Sequence, residues 1–135
     1  MKRSQMKRSP FPRRANKFKA IRSSYNGKSF PSRLERDRYA QLVLLKKAGT
    51  LTELKRQPQT YLTDARIGYK PDFKYIEDGK VIFEECKGLE TEGWRIKKKL
   101  WTRYGPSELR ITKRGSDGRI RTTQIIHPKG CAPEE

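Results

Sequence analysis

The stretch Ile67–Gly88 reads Ile-Gly-Tyr-Lys-Pro-Asp-Phe-Lys-Tyr-Ile, then Glu-Asp-Gly-Lys, then Val-Ile-Phe-Glu-Glu-Cys-Lys-Gly. Two runs rich in β-branched and aromatic residues flank Asp78-Gly79, a strong signal for a two-residue hairpin turn. With that turn, Glu77 faces Lys80, and Asp72 falls opposite Glu85. Opposed residues of an antiparallel pair have Cβ atoms about 4.5–5.5 Å apart on one face. Alternation puts Lys87 on that face as well. A three-residue turn would instead set Asp72 against Glu84; Glu85 is preferred because it has a lysine two residues later on its own face.

Two opposed carboxylates repel each other, which a hairpin serving only stability would avoid. A divalent cation turns the repulsion into attraction. Mg²⁺ takes one or two protein carboxylates and completes its shell with water and phosphate oxygens. A neighbouring lysine can stabilise charge on an attacking water or on phosphate. The pattern therefore suggests metal-assisted phosphodiester hydrolysis. The plain alternative is an exposed hairpin with charges on its wet face.

The rest of the chain narrows the partner. Its 135 residues carry 33 Lys and Arg against 15 Asp and Glu, a net charge of +18. Such an excess points to a polyanion, foremost nucleic acid. No apolar run reaches membrane-spanning length, and the basic N-terminus lacks the apolar core of a secretory signal. Two cysteines and one histidine make neither a disulfide framework nor a standard zinc site, which fits a reducing cytoplasm.

Residues 1–30 hold ten Lys or Arg and no acid. This segment reads as a disordered basic arm ahead of a domain spanning 31–126, with a loose tail from 127 to 135. Phe11, Phe18 and Tyr25 could stack on bases or dock on the domain. Ser32 to Ala48 reads as a helix, with Ser32 and Glu35 in a capping-box pattern and Leu34, Tyr39, Leu42, Val43 and Leu45 on an apolar face. On pattern alone Glu35 is read first as a cap, second as a third carboxylate of the site. Leu51–Leu62 holds one or two short strands broken at Pro58, at an edge or a bulge. Gln57 is read as a solvated strand residue rather than one facing the site. Thr91–Tyr104 is a second helix, with Ile96, Leu100 and Tyr104 on one face and Trp94 and Trp101 packing inward. Leu109–Thr112 should lie parallel to the Val81–Lys87 strand after this crossover, and Ile120–Ile126 should return beside it. His127 is not favoured as a catalytic base.

Pro71-Asp72, then Glu85-Cys86-Lys87 after a short hairpin, resembles the PD-(D/E)xK nuclease superfamily. Within it, Phe30-Pro-Ser-Arg-Leu-Glu35, Tyr69-Lys-Pro-Asp-Phe73, Gly79 and Glu85-Cys-Lys-Gly-Leu89 are similar to phage endonuclease I-type Holliday junction resolvases. The similar stretch covers about residues 30–113. The basic arm is longer than that family's, and its further C-terminal region is not expected.

The resemblance implies an α/β restriction-endonuclease-like core, a mixed central sheet flanked by helices. It implies a Mg²⁺-dependent DNA endonuclease, with Mn²⁺ as a substitute, selective for branched DNA and working as a homodimer in the cytoplasm, that of a bacterial host if phage-encoded. Asp72, Glu85 and the Cys86 backbone carbonyl would hold the metal, Glu35 would assist, and Lys87 would act on water and phosphate. Arg13, Arg14, Lys17, Lys19, Arg22, Lys28, Arg33 and Lys98 would meet the DNA backbone. The alternatives are a nuclease nicking or processing ordinary duplex or ends, and a non-catalytic basic nucleic-acid-binding protein.

Overall fold

The computed structural model describes residues 23–129. In chain order they form β1 (Ser23–Tyr25), β2 (Lys28–Phe30), α1 (Arg33–Lys47), β3 (Thr52–Arg56), β4 (Thr60–Tyr61), β5 (Gly68–Tyr69), β6 (Phe73–Glu77), β7 (Lys80–Cys86), α2 (Glu92–Tyr104), β8 (Glu108–Arg114) and β9 (Ile120–Ile126). A five-stranded mixed sheet runs β3-β6-β7-β8-β9, with β1-β2 and β4-β5 as separate two-stranded ribbons. Among the described strands only the β7–β8 pair is parallel, and α2 is its crossover.

The hairpin at the centre forms as its turn dictates. Asp78 and Gly79 both take positive φ, 51° and 74°, matching the twist of the flanking strands. The register runs from Glu77 opposite Lys80 to Phe73 opposite Glu84. Chain alternation then splits β7 between two cores. Ile82 joins Phe30, Tyr39, Leu42, Leu51, Phe73 and Tyr75 under α1. Phe83 joins Leu62, Tyr69, Trp94, Trp101, Leu109, Ile111 and Ile126 under α2.

Ser32 caps α1, its Oγ accepting from Glu35 N at 3.2 Å, and Thr91 caps α2 by accepting from Trp94 N at 3.1 Å. In α1, Tyr39 and Leu42 are buried as the apolar face requires. In α2 the inward face differs from the Ile96–Leu100–Tyr104 stripe. Ile96 and Tyr104 are about half exposed, while Trp94 and Trp101 are buried. The tryptophans win because each covers far more sheet surface than an aliphatic side chain. Trp101 lies edge-on to Phe83 and Tyr69. Its indole N–H donates to Ser107 O at 2.8 Å. A Cβ on Gly105 would come within 2.6 Å of that indole nitrogen, so the close approach requires glycine there.

The boundary at residue 30 is corrected by β1 and β2. Asn26 and Gly27 take φ of 50° and 77° in a second two-residue turn. Phe30 is fully buried, 5.2 Å from the Tyr39 ring and 3.9 Å beneath the Arg56 guanidinium. Tyr25 docks edge-on against Tyr39. Burying an aromatic side chain is worth about 1.5–3 kcal/mol, enough to hold a short polar hairpin on α1. Pro58 lies between β3 and β4, and β3 is an edge strand as expected; its bulge falls between Thr52 and Lys55. Gln57 is exposed.

Candidate active site

Asp72 stands one residue before β6 and continues the register to face Glu85. Three backbone contacts fix it. Its carbonyl accepts from Gln57 N at 2.9 Å. Its own N–H donates to Glu85 Oε2 at 3.2 Å, and its Oδ2 accepts from Cys86 N at 2.8 Å. Each carboxylate thus uses one oxygen on the opposite strand's backbone and keeps another for other partners. Pro71, which has no N–H to satisfy, is buried just before the pair. Lys87 N donates to Thr112 O at 3.0 Å, carrying the β7–β8 ladder one residue past Cys86. The Lys87 ammonium lies 5.1 Å from the centre of the Trp94 ring, so α2 limits where the lysine can go.

Burial pushes the Asp72 carboxyl well above its usual range, the charges of Glu85 and Glu35 add to this, and the Cys86 N–H and Lys87 oppose it. Burial likewise raises Glu85, to about 7; the Tyr69 hydroxyl and Lys87 hold it down, and Glu35 raises it further. The Tyr69 hydroxyl is itself buried, and its contact with Glu85 is looser than a standard hydrogen bond. Two half-buried carboxylates side by side thus favour sharing a proton or a cation.

Glu35 belongs to this neighbourhood. It is 4% exposed, in the first turn of α1, and its charge bears on Asp72, Glu85 and Cys86. Ser32 caps its N–H, and its carboxylate raises the proton affinity of the pair. The Cys86 thiol is pushed up by burial and then by Asp72, and it packs toward the α1 core. Its peptide, not its sulfur, meets the carboxylates.

Among the described residues no three His, Cys, Asp or Glu side chains form a metal-holding group. Whether Mg²⁺ fits is therefore decided by the pair. Asp72 and Glu85 supply hard oxygen ligands of the number this ion takes from protein, with substrate and water completing the shell. The donor set and the raised proton affinities fit a divalent cation.

The expected phosphate contacts are distributed unevenly. Arg13, Arg14, Lys17, Lys19 and Arg22 lie outside the described residues, as do Phe11 and Phe18. Arg33 is exposed at the first position of α1. Lys28 donates to the Tyr39 hydroxyl at 2.8 Å. Lys98 is held in an ion pair with Glu90. His127 is exposed and far along the chain from the pair.

Three contributors escaped the sequence reading. Tyr69 sits inside the quoted Tyr69-Lys-Pro-Asp run, three residues before Asp72, yet only folding shows its hydroxyl beside Glu85. Trp94 was legible as a packing residue, not as the ring under Lys87. Arg38 forms a two-pronged bond to Glu84, at 2.6 and 2.9 Å, and Tyr75 adds a third bond at 2.7 Å. No local spacing announces a pair 46 residues apart.

No curated protein matches the chain. Residues 15–115 match the family described as "Protein of unknown function (DUF1064)", a stretch holding Glu35, Asp72, Glu85 and Lys87, and the chain belongs to that family.

Proposed function

We propose that this chain is a Mg²⁺-dependent endodeoxyribonuclease with a PD-(D/E)xK-type core and site, acting preferentially on branched DNA. One observation carries the reading: Asp72 and Glu85 oppose each other across β6 and β7, half-buried, with Lys87 one alternation further on. Asp72 and Glu85 would hold the ion, with the Cys86 carbonyl as a further ligand. When bound, the ion would polarise the phosphodiester and lower the pKa of a water nucleophile. Lys87 orients that water and stabilises charge developing on phosphate. Glu35, behind the pair, holds the proton or the water. The water oxygen forms a bond to phosphorus, the bond to the leaving oxygen breaks, and the leaving oxygen takes a proton. A homodimer would supply the two coordinated cuts that a junction requires.

A second reading, a non-catalytic nucleic-acid-binding protein, draws on the net charge of +18. It gives the paired acids no use, since carboxylates facing DNA weaken binding. No helix among the described residues is long and apolar enough to cross a membrane. The deciding experiment incubates end-labelled junction, flap, nicked and linear DNA with the protein in Mg²⁺, Mn²⁺ or chelator. The expected result is metal-dependent products, most from the junction, and none from Asp72→Asn. Binding without cleavage of any substrate in either metal would favour the second reading. Equal cutting of linear duplex would keep the chemistry and remove the preference for branches.

A further inference from the structure

The first turn of α1 sends its charges two ways. Glu35 turns inward to the carboxylate pair, while Arg33 and Arg36 flank it outside. With Asp37 and Arg114, the last residue of β8, they line an open cleft of about 510 Å³. Three guanidiniums there face one carboxylate.

Asp37 is fully engaged. Its Oδ1 accepts from Arg36 Nε at 2.8 Å, and its Oδ2 accepts from Arg114 Nη2 at 2.5 Å. Burial alone would raise its proton affinity, but the two arginines more than offset this and hold it below the usual range. Arg114 also donates to Gly118 O at 3.0 Å. A guanidinium has five N–H donors, so Arg36 and Arg114 each keep donors beyond these bonds. Asp37 acts as a brace that fixes two guanidiniums without exhausting them. Arg33 makes no ion pair among the described residues and is exposed.

Two elements link the cleft, on the α1 side of the sheet, to the carboxylate pair on the other face. Arg33 and Arg36 share a helical turn with Glu35. Arg114 lies two residues beyond Thr112, which pairs with Cys86, or about 7 Å along the strand.

We infer that the cleft of Arg33, Arg36 and Arg114 is a phosphodiester-binding seat for nucleic acid. It grips the backbone at a phosphate other than the one held at Asp72 and Glu85. Its place beside a scissile bond rests on the nuclease reading; its affinity for phosphate does not. Fixed, planar donors suit phosphate better than scattered lysines do.

The test compares charge removed here with charge removed elsewhere. Arg33→Ala, Arg36→Ala and Lys80→Ala each delete one positive charge, and Lys80 is exposed at the far end of the hairpin. Binding of labelled duplex is measured in chelator across a salt series, so nothing is cut. Arg33→Ala and Arg36→Ala should weaken binding about three- to tenfold and reduce the salt slope by about one; Lys80→Ala should change little. Equal losses for all three, or no change for the arginine variants, would overturn the seat.

Position is read with the unaltered protein in Mg²⁺, on DNA bearing one neutral methylphosphonate linkage moved stepwise along the strand. Slower cutting is expected with the neutral linkage at a phosphate a few nucleotides or fewer from the cut, and Arg33→Ala should add nothing there. Interference at the cut alone, with no effect at any nearby phosphate, would overturn the placement. Arginine-selective binding without cleavage of any DNA would instead overturn the nuclease reading and leave the seat standing.

Discussion

Glu84 and Glu85 are neighbours in sequence with opposite treatment. Glu84 points under α1, is fully buried, and is satisfied by the Arg38 fork and the Tyr75 hydroxyl. Glu85 points to the other face, meets another carboxylate, and is pushed up to about 7. One strand thus carries a neutralised charge on one face and an unneutralised one on the other. A fold has reason to complete the first arrangement, because an unpaired buried charge is costly. The second sets two like charges face to face beyond the backbone bonds they accept, and this asymmetry is what makes it the candidate site.

The largest effect should fall on cleavage. On the proposed nuclease reading, Glu85→Gln and Asp72→Asn keep shape but remove a charge from the proposed metal pair, and Lys87→Ala removes the cation proposed to meet phosphate. Each should lower turnover by about a hundredfold or more, with DNA binding retained or tightened. Glu84→Gln should leave turnover much closer to the parent. Single-turnover rates at saturating DNA check this; a larger loss from Glu84→Gln than from Glu85→Gln would break the comparison.

Stability should respond in the reverse order. Glu84→Ala leaves Arg38 buried beside an empty acceptor and should cost about 3–5 kcal/mol. Replacing Arg38, Tyr75 and Glu84 together by Met, Phe and Leu should recover most of that loss, because no unpaired polar group remains. Urea midpoints of the single and triple variants decide it. A triple variant as unstable as Glu84→Ala would mean that the network contributes more than neutralisation.

The pH dependence of the metal-free protein separates the two faces again. Folded Glu85 keeps its proton to about pH 7, whereas its ordinary value is 4.5; Asp72 shifts the same way. Between these pH values the folded state binds more protons than the unfolded chain, so stability falls as pH rises. In chelator, the melting temperature should drop from pH 4.5 to 7, and Glu85→Gln should flatten that drop. Mg²⁺ should stabilise most at the upper end, where the carboxylates are ionised. A melting temperature that rises over this window would contradict the buried pair.

Much of this was readable beforehand because the hairpin is local. Asp78-Gly79 fixes the turn, the turn fixes the register, and the register sets Asp72 against Glu85 with Lys87 on the same face. The parallel placement of β8 followed from the crossover helix. What escaped depended on tertiary contact. Asn26-Gly27 is the same kind of turn signal, but its strands are short and polar, so the basic composition around it prevailed until Phe30 and Tyr25 were seen against Tyr39. On α2 the inward packing of Trp94 and Trp101 was readable, but the exposure of Ile96 and Tyr104 on the apolar stripe was not. The partner of Glu84 comes from α1, and the arginine cleft joins α1 to the end of β8. Neither association has a trace in local spacing.

The subtlest contrast lies within Glu35, whose backbone serves the helix and whose side chain faces the pair. Ser32 Oγ accepts from the Glu35 N–H, a bond that any residue at position 35 can supply. Ser32→Ala should therefore cost about 0.5–2 kcal/mol and slow cleavage only as far as the helix start loosens. Glu35→Gln keeps that bond and much of the side-chain shape but removes a charge that raises the proton affinity of Asp72 and Glu85. Its melting temperature should match or exceed the parent's in metal-free buffer, since like-charge repulsion is relieved. If the carboxylate serves a bound ion or its water, turnover should fall about ten- to a hundredfold, the scale for losing a supporting group at a metal site, and more Mg²⁺ should be needed for half-maximal rate. Titrating Mg²⁺ in single-turnover assays of both variants reads the two roles separately. Parental turnover and Mg²⁺ dependence in Glu35→Gln would confine the site to Asp72, Glu85 and Lys87, and would leave the burial of Glu35 as a feature of the helix start alone.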